Sequence, residues 1–271
     1  MQHAKRWITS IILAPLIIWI LIKGTPLILA GLVSVVAMSA NREYLRIVFH
    51  SGDTTVSWMV SGTSFLTCVF LVVAAAFGSW PGMILVLFLN LGLLALLVLF
   101  RFTESDDLFT TIARQMLGVV YIPLSLSLLL LVRNMEQGVL WVFWLLIVCF
   151  MNDTGAFYTG TYMGKRKLAP RISPKKTIEG SVGGIAASLT VGLVLSLVFF
   201  KSPILALTML PCSLLIAVAG QAGDLFESAL KRASLVKDSG RILPGHGGML
   251  DRIDGLLFAI PVLYGYLLAV G

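Results

Sequence analysis

The chain has 271 residues, of which 58% are hydrophobic and 12% are charged, and its mean hydropathy is +0.96. These values exclude an ordinary water-soluble domain of this length and predict an integral membrane protein. A formal net charge of +7 is compatible with nucleic acid or anionic lipid, but a basic excess in a membrane protein usually reflects its orientation. The three cysteines and three histidines show no metal-ligand spacing, which argues against a transition-metal site.

Apolar runs long enough to cross a membrane recur along the whole chain, separated by charged residues or by Gly and Pro. Lys5 and Arg6 precede a first run that has no clear cleavage site, so we interpret it as a retained helix and not as a signal peptide. The sequence predicts an all-α polytopic integral membrane protein with about nine transmembrane helices. Their approximate ranges are 7–22, 25–41, 57–77, 82–100, 116–132, 138–160, 181–200, 203–221 and 254–270.

The basic residues test this helix count independently, because the positive-inside rule uses only Lys and Arg in the loops. With these spans, all but three of the 20 Lys and Arg residues fall on the side of the N-terminus. The exceptions are Lys23, Arg133 and Lys201. The pattern predicts a cytoplasmic N-terminus and a C-terminus on the opposite side, and orientation then explains most of the net charge.

Ionisable residues concentrate in the second half of the chain. We interpret 1–137 as an N-terminal scaffold of transmembrane helices and 138–271 as the region that carries the chemistry. The cytoplasmic polar loops of this region are predicted at 161–180 and 222–254. An acidic pair in the scaffold, Asp106-Asp107, is better explained as a solvated helix cap.

The first polar segment begins with Asp153, near the end of an apolar span. A carboxylate at that depth is costly without a partner or a wet cavity, so Asp153 is a candidate functional residue, with a local cap or ion pair as the alternative. Downstream, the run Ser-Pro-Lys-Lys-Thr at 173–177 is followed by Glu179 and by Gly183-Gly184. Lysines and the backbone amides of a helix start both favour a phosphate group. Loose contact with lipid headgroups would explain the basic charge, but neither Glu179 nor the glycines.

The second polar segment is denser in charge. Asp224, Glu227 and Lys231 lie on one helical face, and Asp251 and Asp254 repeat a three-residue spacing at the start of the last span. Carboxylates with hydroxyls, and without thiols or paired histidines, indicate a hard cation such as Mg²⁺, which usually arrives with phosphates. The alternative is an amphipathic interfacial helix with an intrahelical ion pair between Glu227 and Lys231.

Several runs in these two segments resemble the phosphatidate cytidylyltransferase family. The more specific match consists of Ser228-x-Leu230-Lys231-Arg232, Lys237-Asp238 and His246-Gly247-Gly248-Met249-x-Asp251-Arg252-Ile253-Asp254. Asp153, Gly160, the run at 173–177 and Glu179-Gly180 resemble a second recurrent segment. The resemblance covers roughly 150–255, and Phe157 departs from it because tyrosine is common there in the family.

The resemblance implies a Mg²⁺-dependent reaction in which CTP and phosphatidic acid give CDP-diacylglycerol and pyrophosphate. It also implies a homodimer in a bacterial inner membrane, with the active site facing the cytoplasm and without nucleic acid as a partner. The expected chemistry is in-line attack by the phosphatidate phosphate on the α-phosphorus of CTP. A second cation, K⁺ or another Mg²⁺, would give a two-cation arrangement.

The residue roles expected from the resemblance fall into three sets. The candidate catalytic residues are Asp224, Asp251, Lys231, Lys237 and His246. The candidate metal ligands are Asp224 and Asp251, followed by Asp254 and Asp153. The candidate contacts to CTP or phosphatidate phosphates are Ser173, Lys175, Lys176, Thr177, Glu179, Ser228, Arg232, Asp238, Arg241, Gly247, Gly248 and Arg252.

Three other functions were considered. A CTP-dependent lipid kinase of the polyprenol or dolichol type would also join a cytoplasmic nucleotide site to a membrane substrate, but it would release CDP. A cation-coupled transporter is disfavoured because the acids cluster at span ends and not at mid-span. A CDP-alcohol phosphatidyltransferase would need an arginine and further aspartates after Asp254, which the sequence lacks there.

Overall fold

The computed structural model describes residues 15–49, 54–100, 108–236, 238–240 and 247–270. Three of the expected site residues, Lys237, Arg241 and His246, lie outside these ranges. The helices are α1 (15–23), α2 (Pro26–Val48), α3 (Thr54–Ala76), α4 (Trp80–Phe100), α5 (Leu108–Val119), α6 (Ser125–Asn134), α7 (Gly138–Met163), α8 (Ile178–Phe200), α9 (Pro203–Ala233) and α10 (Leu250–Val270). Between α7 and α8, β1 (Lys167–Ala169) and β2 (Ser173–Thr177) form an antiparallel ribbon that the sequence analysis did not predict.

Helical segments long and apolar enough to span a membrane confirm the predicted class of fold. The described residues contain seven of them, but the predicted count of nine is not confirmed. The span expected at 7–22 lies mostly outside the described residues, and α2 carries Arg42, Glu43 and Arg46 near its end. The seven segments are Trp58–Ala76, Trp80–Leu97, Phe109–Asn134, Gly138–Met163, Ile178–Phe200, Pro203–Ala233 and Leu250–Val270.

Two helices differ from their predicted ranges in ways that matter for the site. The span predicted at 116–132 is longer, because a π-helical turn at Val120–Leu124 joins α5 to α6. Pro123 lies in that turn; it has no amide hydrogen, and a wider turn accommodates the missing bond. The span predicted at 203–221 continues as α9 to Ala233, so its polar C-terminal part is helical.

The chain divides into two compact units. The first comprises Met1–Asn134 with Ser234–Arg252, and the second comprises Met135–Ala233 with Ile253–Gly271. The polar segment that we predicted at 222–254 is therefore divided between the two units, because Ser234–Arg252 belongs to the first.

A buried polar cluster links α3, α4 and α5 in the first unit. Asn90 Nδ2 donates to Gln115 Oε1 at 3.1 Å, and Gln115 Nε2 donates to Ser64 Oγ and Asn90 Oδ1, both at 3.0 Å. Thr67 Oγ1 donates to Asn90 Oδ1 at 2.8 Å. In a lipid environment such bonds hold helices together, because the polar groups have no water to bind instead.

In the second unit, glycines let α7 and α8 approach closely. A Cβ at Gly184 would lie 2.6 Å from the backbone oxygen of Asn152, and one at Gly155 would lie 2.6 Å from the Cβ of Ala187. We expected Gly183-Gly184 near the start of a helix, but α8 begins at Ile178. These glycines therefore serve helix packing, as small residues commonly do between membrane helices.

Candidate active site

The second unit encloses a cavity of about 440 Å³. It lies among α7, α8, α9 and the β ribbon, so residues distant in the sequence share its wall. Five expected site residues line it: Asp153, Lys175, Lys176, Thr177 and Asp224. The other lining residues are Ala156, Phe157, Gly160, Thr161, Leu168, Gly180, Ser181 and Gln221.

Carboxylates from three helices, with Lys175 and Lys176, form the charged part of this cavity and its surroundings. Lys176 Nζ lies 2.5 Å from Asp224 Oδ2, and the two side chains are 27% and 37% exposed. Asp153 and Asp254 both interact electrostatically with Asp224 and with Lys176. The structure therefore brings together three of the four expected metal ligands and three expected phosphate contacts, Lys175, Lys176 and Thr177.

Small residues at the contact of α9 with the second-unit part of α10 allow this approach. A Cβ at Gly223 would lie 2.5 Å from the backbone oxygen of Asp254, and one at Gly255 would lie 3.2 Å from the backbone oxygen of Gly220. Asp254 Oδ1 accepts a 2.8 Å hydrogen bond from the Gly255 amide. Asp224 and Asp254 are neighbours because glycine flanks each of them.

The β ribbon positions the two lysines at 175 and 176. Lys167 pairs with Thr177 and Ala169 with Ser173 across the ribbon. Thr177 is the N-cap of α8, where its Oγ1 accepts from the Gly180 amide at 3.1 Å. The lysines therefore stand immediately before a helix N-terminus, a place where the backbone itself favours an anion.

Glu179 anchors this ribbon through backbone contacts. Its Oε2 accepts hydrogen bonds from the amides of Lys165 and Arg166 at 3.0 and 3.1 Å. The Ile178 amide donates to the Arg166 carbonyl at 2.9 Å. In the structure Glu179 thus binds the chain itself and positions the ribbon, and its expected contact to substrate phosphates stays a prediction.

An amide network beside the cavity has its hydrogen positions fixed by two backbone carbonyls. Asn152 Nδ2 donates to the Ala217 carbonyl at 3.2 Å, so Asn152 Oδ1 accepts from Gln221 Nε2 at 2.9 Å. Gln221 Nε2 also donates to the Ser181 carbonyl at 3.0 Å. Gln221 Oε1 therefore faces Ser181 Oγ, which must donate its proton to it. What Ser181 and Gln221 have left are acceptor lone pairs.

Farther along α9, the predicted polar face forms with different partners. Lys231 Nζ makes an ion pair with Glu227, whose side chain is 1% exposed, as in the alternative that we considered. Ser228 Oγ lies 3.5 Å from Asp224 Oδ1. The exposed side chain of Arg232 donates through Nε to the Ile172 carbonyl at 3.3 Å, which ties α9 to the ribbon.

Other expected site residues lie in the first unit. Asp251 Oδ2 accepts hydrogen bonds from the amides of Gly248 and Ser239 at 3.0 and 3.3 Å. Gly247 has a φ of +87°, a conformation that favours glycine. Asp238 and Arg252 are exposed. The structure assigns Asp251 and Asp224 to different units, so the proposed pairing of these two as metal ligands stays a prediction.

The acids around the cavity fit a hard cation. Among the described residues, no group of three or more His, Cys, Asp or Glu side chains is close enough to hold a metal ion unaided. Mg²⁺ does not require such a group, because it is usually bound by one or two carboxylates together with substrate phosphates and water. Asp153, Asp224 and Asp254 supply that kind of donor.

Sequence reasoning missed three polar residues at or beside this cavity and one buried carboxylate in the first unit. Ser181, Gln221 and Asn152 were treated as parts of apolar spans, and Glu43 as part of the scaffold. Asn152 did carry a signal, since it is a polar residue within a hydrophobic helix, where such groups need partners, whereas Glu43 lay beyond the predicted span 25–41 and was found within a helix only because α2 continues to Val48. Their partners lie far away in the sequence and could not be identified from it.

Comparison with known proteins supports the resemblance seen in the motifs. Residues 4–270 match the sequence model of the Cytidylyltransferase family. The chain is 42% identical over 186 residues to a phosphatidate cytidylyltransferase of Bacillus subtilis (strain 168), covering 67% of this chain and 68% of that protein. It is 40% identical over 163 residues to those of Staphylococcus saprophyticus and Staphylococcus aureus (strain COL), covering 60% of this chain and 60% of each relative.

Proposed function

Because this chain belongs to the cytidylyltransferase family, we propose that it transfers the cytidylyl group of CTP to phosphatidic acid, forming CDP-diacylglycerol and pyrophosphate for phospholipid biosynthesis. The observation that carries the proposal is the cavity where Lys176 pairs with Asp224 beside Asp153 and Asp254. Cations and acids side by side suit a magnesium-bound triphosphate, which presents both phosphate oxygens and a metal.

Each charged group has a role in this proposal. One or two of the carboxylates of Asp153, Asp224 and Asp254, together with phosphate oxygens and water, would hold Mg²⁺, which when bound offsets the negative charge of the phosphates. A second cation, K⁺ or another Mg²⁺, would complete a two-cation arrangement. Lys176 exchanges its Asp224 partner for a phosphate oxygen as the nucleotide enters, and Lys175 adds a second ammonium group. Lysines suit this task because an ammonium is a compact charge that is free to change partners.

The transfer itself needs no covalent intermediate on the protein. A phosphate oxygen of phosphatidic acid attacks the α-phosphorus of CTP, and the bond from that phosphorus to the oxygen bridging the β-phosphorus breaks. Pyrophosphate leaves with that electron pair. The residues of the cavity contribute by holding the two anionic substrates in line, which lowers the barrier through orientation and charge stabilisation.

Ser181 and Gln221 suit the cytosine base of CTP. Their remaining hydrogen-bonding capacity is that of acceptors, and cytosine presents an exocyclic amine where uracil presents a carbonyl oxygen. A site built to accept from an amine discriminates against a carbonyl, because two acceptors would be left facing each other. This pairing would select CTP over UTP.

The membrane setting agrees with a lipid substrate. The helices around the cavity are among the seven that are long and apolar enough to span a bilayer, so the chain is an integral membrane protein, and the relatives named above are bacterial. We place it in the bacterial inner membrane with the cavity facing the cytoplasm, where CTP is available, and as a homodimer. The basic loops predicted on that side support the orientation.

The remaining predicted residues are assigned to phosphate binding without a division between the two substrates. Lys231, Arg232, Arg252 and Ser228, with Lys237, Asp238, Arg241 and His246, are proposed to serve the phosphates of either substrate, together with Ser173 and the backbone of Gly247-Gly248. Asp251 is retained as a proposed metal ligand.

The direct test measures nucleotide turnover by the purified protein in detergent, with CTP and Mg²⁺, in the presence and absence of phosphatidic acid. We expect lipid-dependent release of pyrophosphate and a product with the mass of CDP-diacylglycerol. Release of CDP with a phosphorylated lipid would instead identify a CTP-dependent lipid kinase. Ion flux in vesicles without nucleotide turnover would point to a transporter.

A further inference from the structure

Glu43 is a fully buried carboxylate in the N-terminal scaffold, where no site residue was expected. It lies near the end of α2, and its side chain is 0% exposed. Burying a carboxylate is costly unless its oxygens are hydrogen-bonded, so a chain that retains one in such a place uses it for those bonds.

Among the described residues, the hydrogen bonds of Glu43 go to the segment that carries Asp251, and Glu43 Oε1 has no partner there. Its Oε2 accepts from Ser239 Oγ at 3.0 Å and from the Leu250 amide at 2.9 Å. Leu250 is the first residue of α10, and the amides of a first helical turn have no partner within the helix. Glu43 supplies that partner, and its negative charge suits a helix N-terminus.

Two glycines of the same segment pack directly against this carboxylate. A Cβ at Gly240 would lie 2.2 Å from Glu43 Oε1, and one at Gly248 would lie 2.5 Å from Glu43 Oε2. A side chain at either place would therefore displace the carboxylate of Glu43 from its present position. This gives Gly248 a reason to be glycine that does not involve a substrate.

Asp251 also binds residues 238–240 and residues 247–250. Its Oδ2 accepts from the amides of Ser239 and Gly248. Glu43 and Asp251 thus both bridge residues 238–240 to residues 247–250, so a movement of either stretch disturbs the carboxylate of Asp251.

We propose that Glu43 is a positioning residue that fixes the segment bearing Gly247, Gly248 and Asp251, and thereby orients Asp251 for its part in the reaction. It acts through Ser239 and the Leu250 amide and does not touch a substrate. The inference rests on the proposed function, because it is that function which gives Asp251 a ligand or substrate to meet.

The test compares the wild-type protein with Glu43→Ala, Glu43→Gln and Ser239→Ala. Glu43→Ala removes both bonds, whereas Glu43→Gln keeps one acceptor oxygen for the Leu250 amide. Asn41→Ala is the matched control, because Asn41 is also fully buried on α2 and neither Asn41 Nδ2 nor Oδ1 bonds to any described residue. Two quantities are measured: amide hydrogen exchange of the peptides that contain Gly248 and Leu250, and the Mg²⁺ concentration for half-maximal turnover.

We expect Glu43→Ala to speed exchange at these amides by about 10-fold or more, corresponding to the loss of roughly 1.4 kcal/mol of local protection, and to raise the Mg²⁺ requirement. Glu43→Gln and Ser239→Ala should fall between it and the wild type, and Asn41→Ala should change neither quantity. A role in general stability alone would speed exchange across the first unit and leave the Mg²⁺ requirement of the folded fraction unchanged. That result would overturn the proposal. Exchange at Gly248 and Leu250 as slow as in the wild type would also overturn it, if seen in both Glu43→Gln and Ser239→Ala.

The two measurements separate this proposal from the proposed function. Hydrogen exchange requires no turnover, so a wild-type protein without cytidylyltransferase activity would refute the function while exchange still reported whether Glu43 fixes the segment.

Discussion

Asp224 and Asp251 are two aspartates with the same expected role, yet their carboxylates have different partners. Asp224 lines a cavity and pairs with Lys176 at 2.5 Å. Asp251 Oδ2 accepts from two backbone amides, as does Glu179 Oε2 in the ribbon. A lysine side chain can move aside and leave its carboxylate free for a metal, whereas backbone amides are fixed by the fold. The partner of a carboxylate, more than its residue type, therefore indicates whether that carboxylate binds a ligand or positions the chain.

The largest expected effect comes from Asp224→Asn set against Asp251→Asn. Asparagine at 224 removes a proposed metal ligand, and we expect turnover to fall by about 100- to 1,000-fold. Asparagine at 251 keeps an oxygen that accepts from the amides of Ser239 and Gly248, so the segment stays in place. Steady-state turnover at saturating Mg²⁺ measures both.

If Asp251→Asn loses as much activity as Asp224→Asn, then Asp251 is a metal ligand as well as a positioning group, and the two aspartates share the ligand role. Near-normal turnover of Asp251→Asn would restrict it to positioning the segment. Near-normal turnover of Asp224→Asn would remove the metal role from the cavity.

The next effect concerns Lys176, whose ammonium group pairs with Asp224. Lys176→Gln should raise the KM for CTP by about 10- to 100-fold, because a hydrogen bond to a charged group contributes about 1.5–3 kcal/mol. The free energy of unfolding should change by less than about 1 kcal/mol, since a partly exposed ion pair stabilises little.

Lys167→Gln is the control for Lys176→Gln, because it removes the same charge from the ribbon at a residue outside the cavity lining. Equal changes in KM for the two variants would show that general attraction of the ribbon for anions, and not contact by Lys176, is responsible.

A smaller effect is expected at Ser181, whose Oγ is one of the two acceptors assigned to cytosine. Ser181→Ala should lower the ratio of kcat/KM for CTP to that for UTP by about fivefold, the equivalent of one neutral hydrogen bond of about 1 kcal/mol. Ser188 lies on α8 with Ser181, and its hydroxyl donates to the Val148 carbonyl of α7. Ser188→Ala should therefore leave the ratio unchanged. An unaltered ratio in Ser181→Ala would remove this residue from base selection.

The smallest effect is expected for Glu179→Gln. Glutamine keeps one oxygen that accepts from the amides of Lys165 and Arg166, so the ribbon should loosen only slightly. We expect a modest rise in the KM for CTP without a change in kcat, measured alongside limited proteolysis of the ribbon. A large fall in kcat would contradict a role limited to positioning and support the predicted contact of Glu179 with a substrate phosphate.

Much of the fold was predictable because its signals are local. Each membrane span is an apolar run of defined length, and the helical spacing of Asp224, Ser228 and Lys231 placed them correctly on one helix, α9. The β ribbon was missed because its strands are short and lie in a basic loop without alternation of apolar residues. The Glu227–Lys231 pair was predicted in the alternative of an interfacial helix, since residues four apart on a helix are neighbours.

The membrane-helical class, the family and a set of candidate carboxylates and lysines follow from the amino-acid sequence alone. The tertiary structure decided which of them meet: Lys176 with Asp224, Asn152 with Gln221 and Glu43 with the Leu250 amide. Glu43 and Leu250 are 207 residues apart. Contacts at such separations depend on how glycines and buried polar groups let helices pack, and a pattern read along one chain records hydrophobicity and spacing without that geometry.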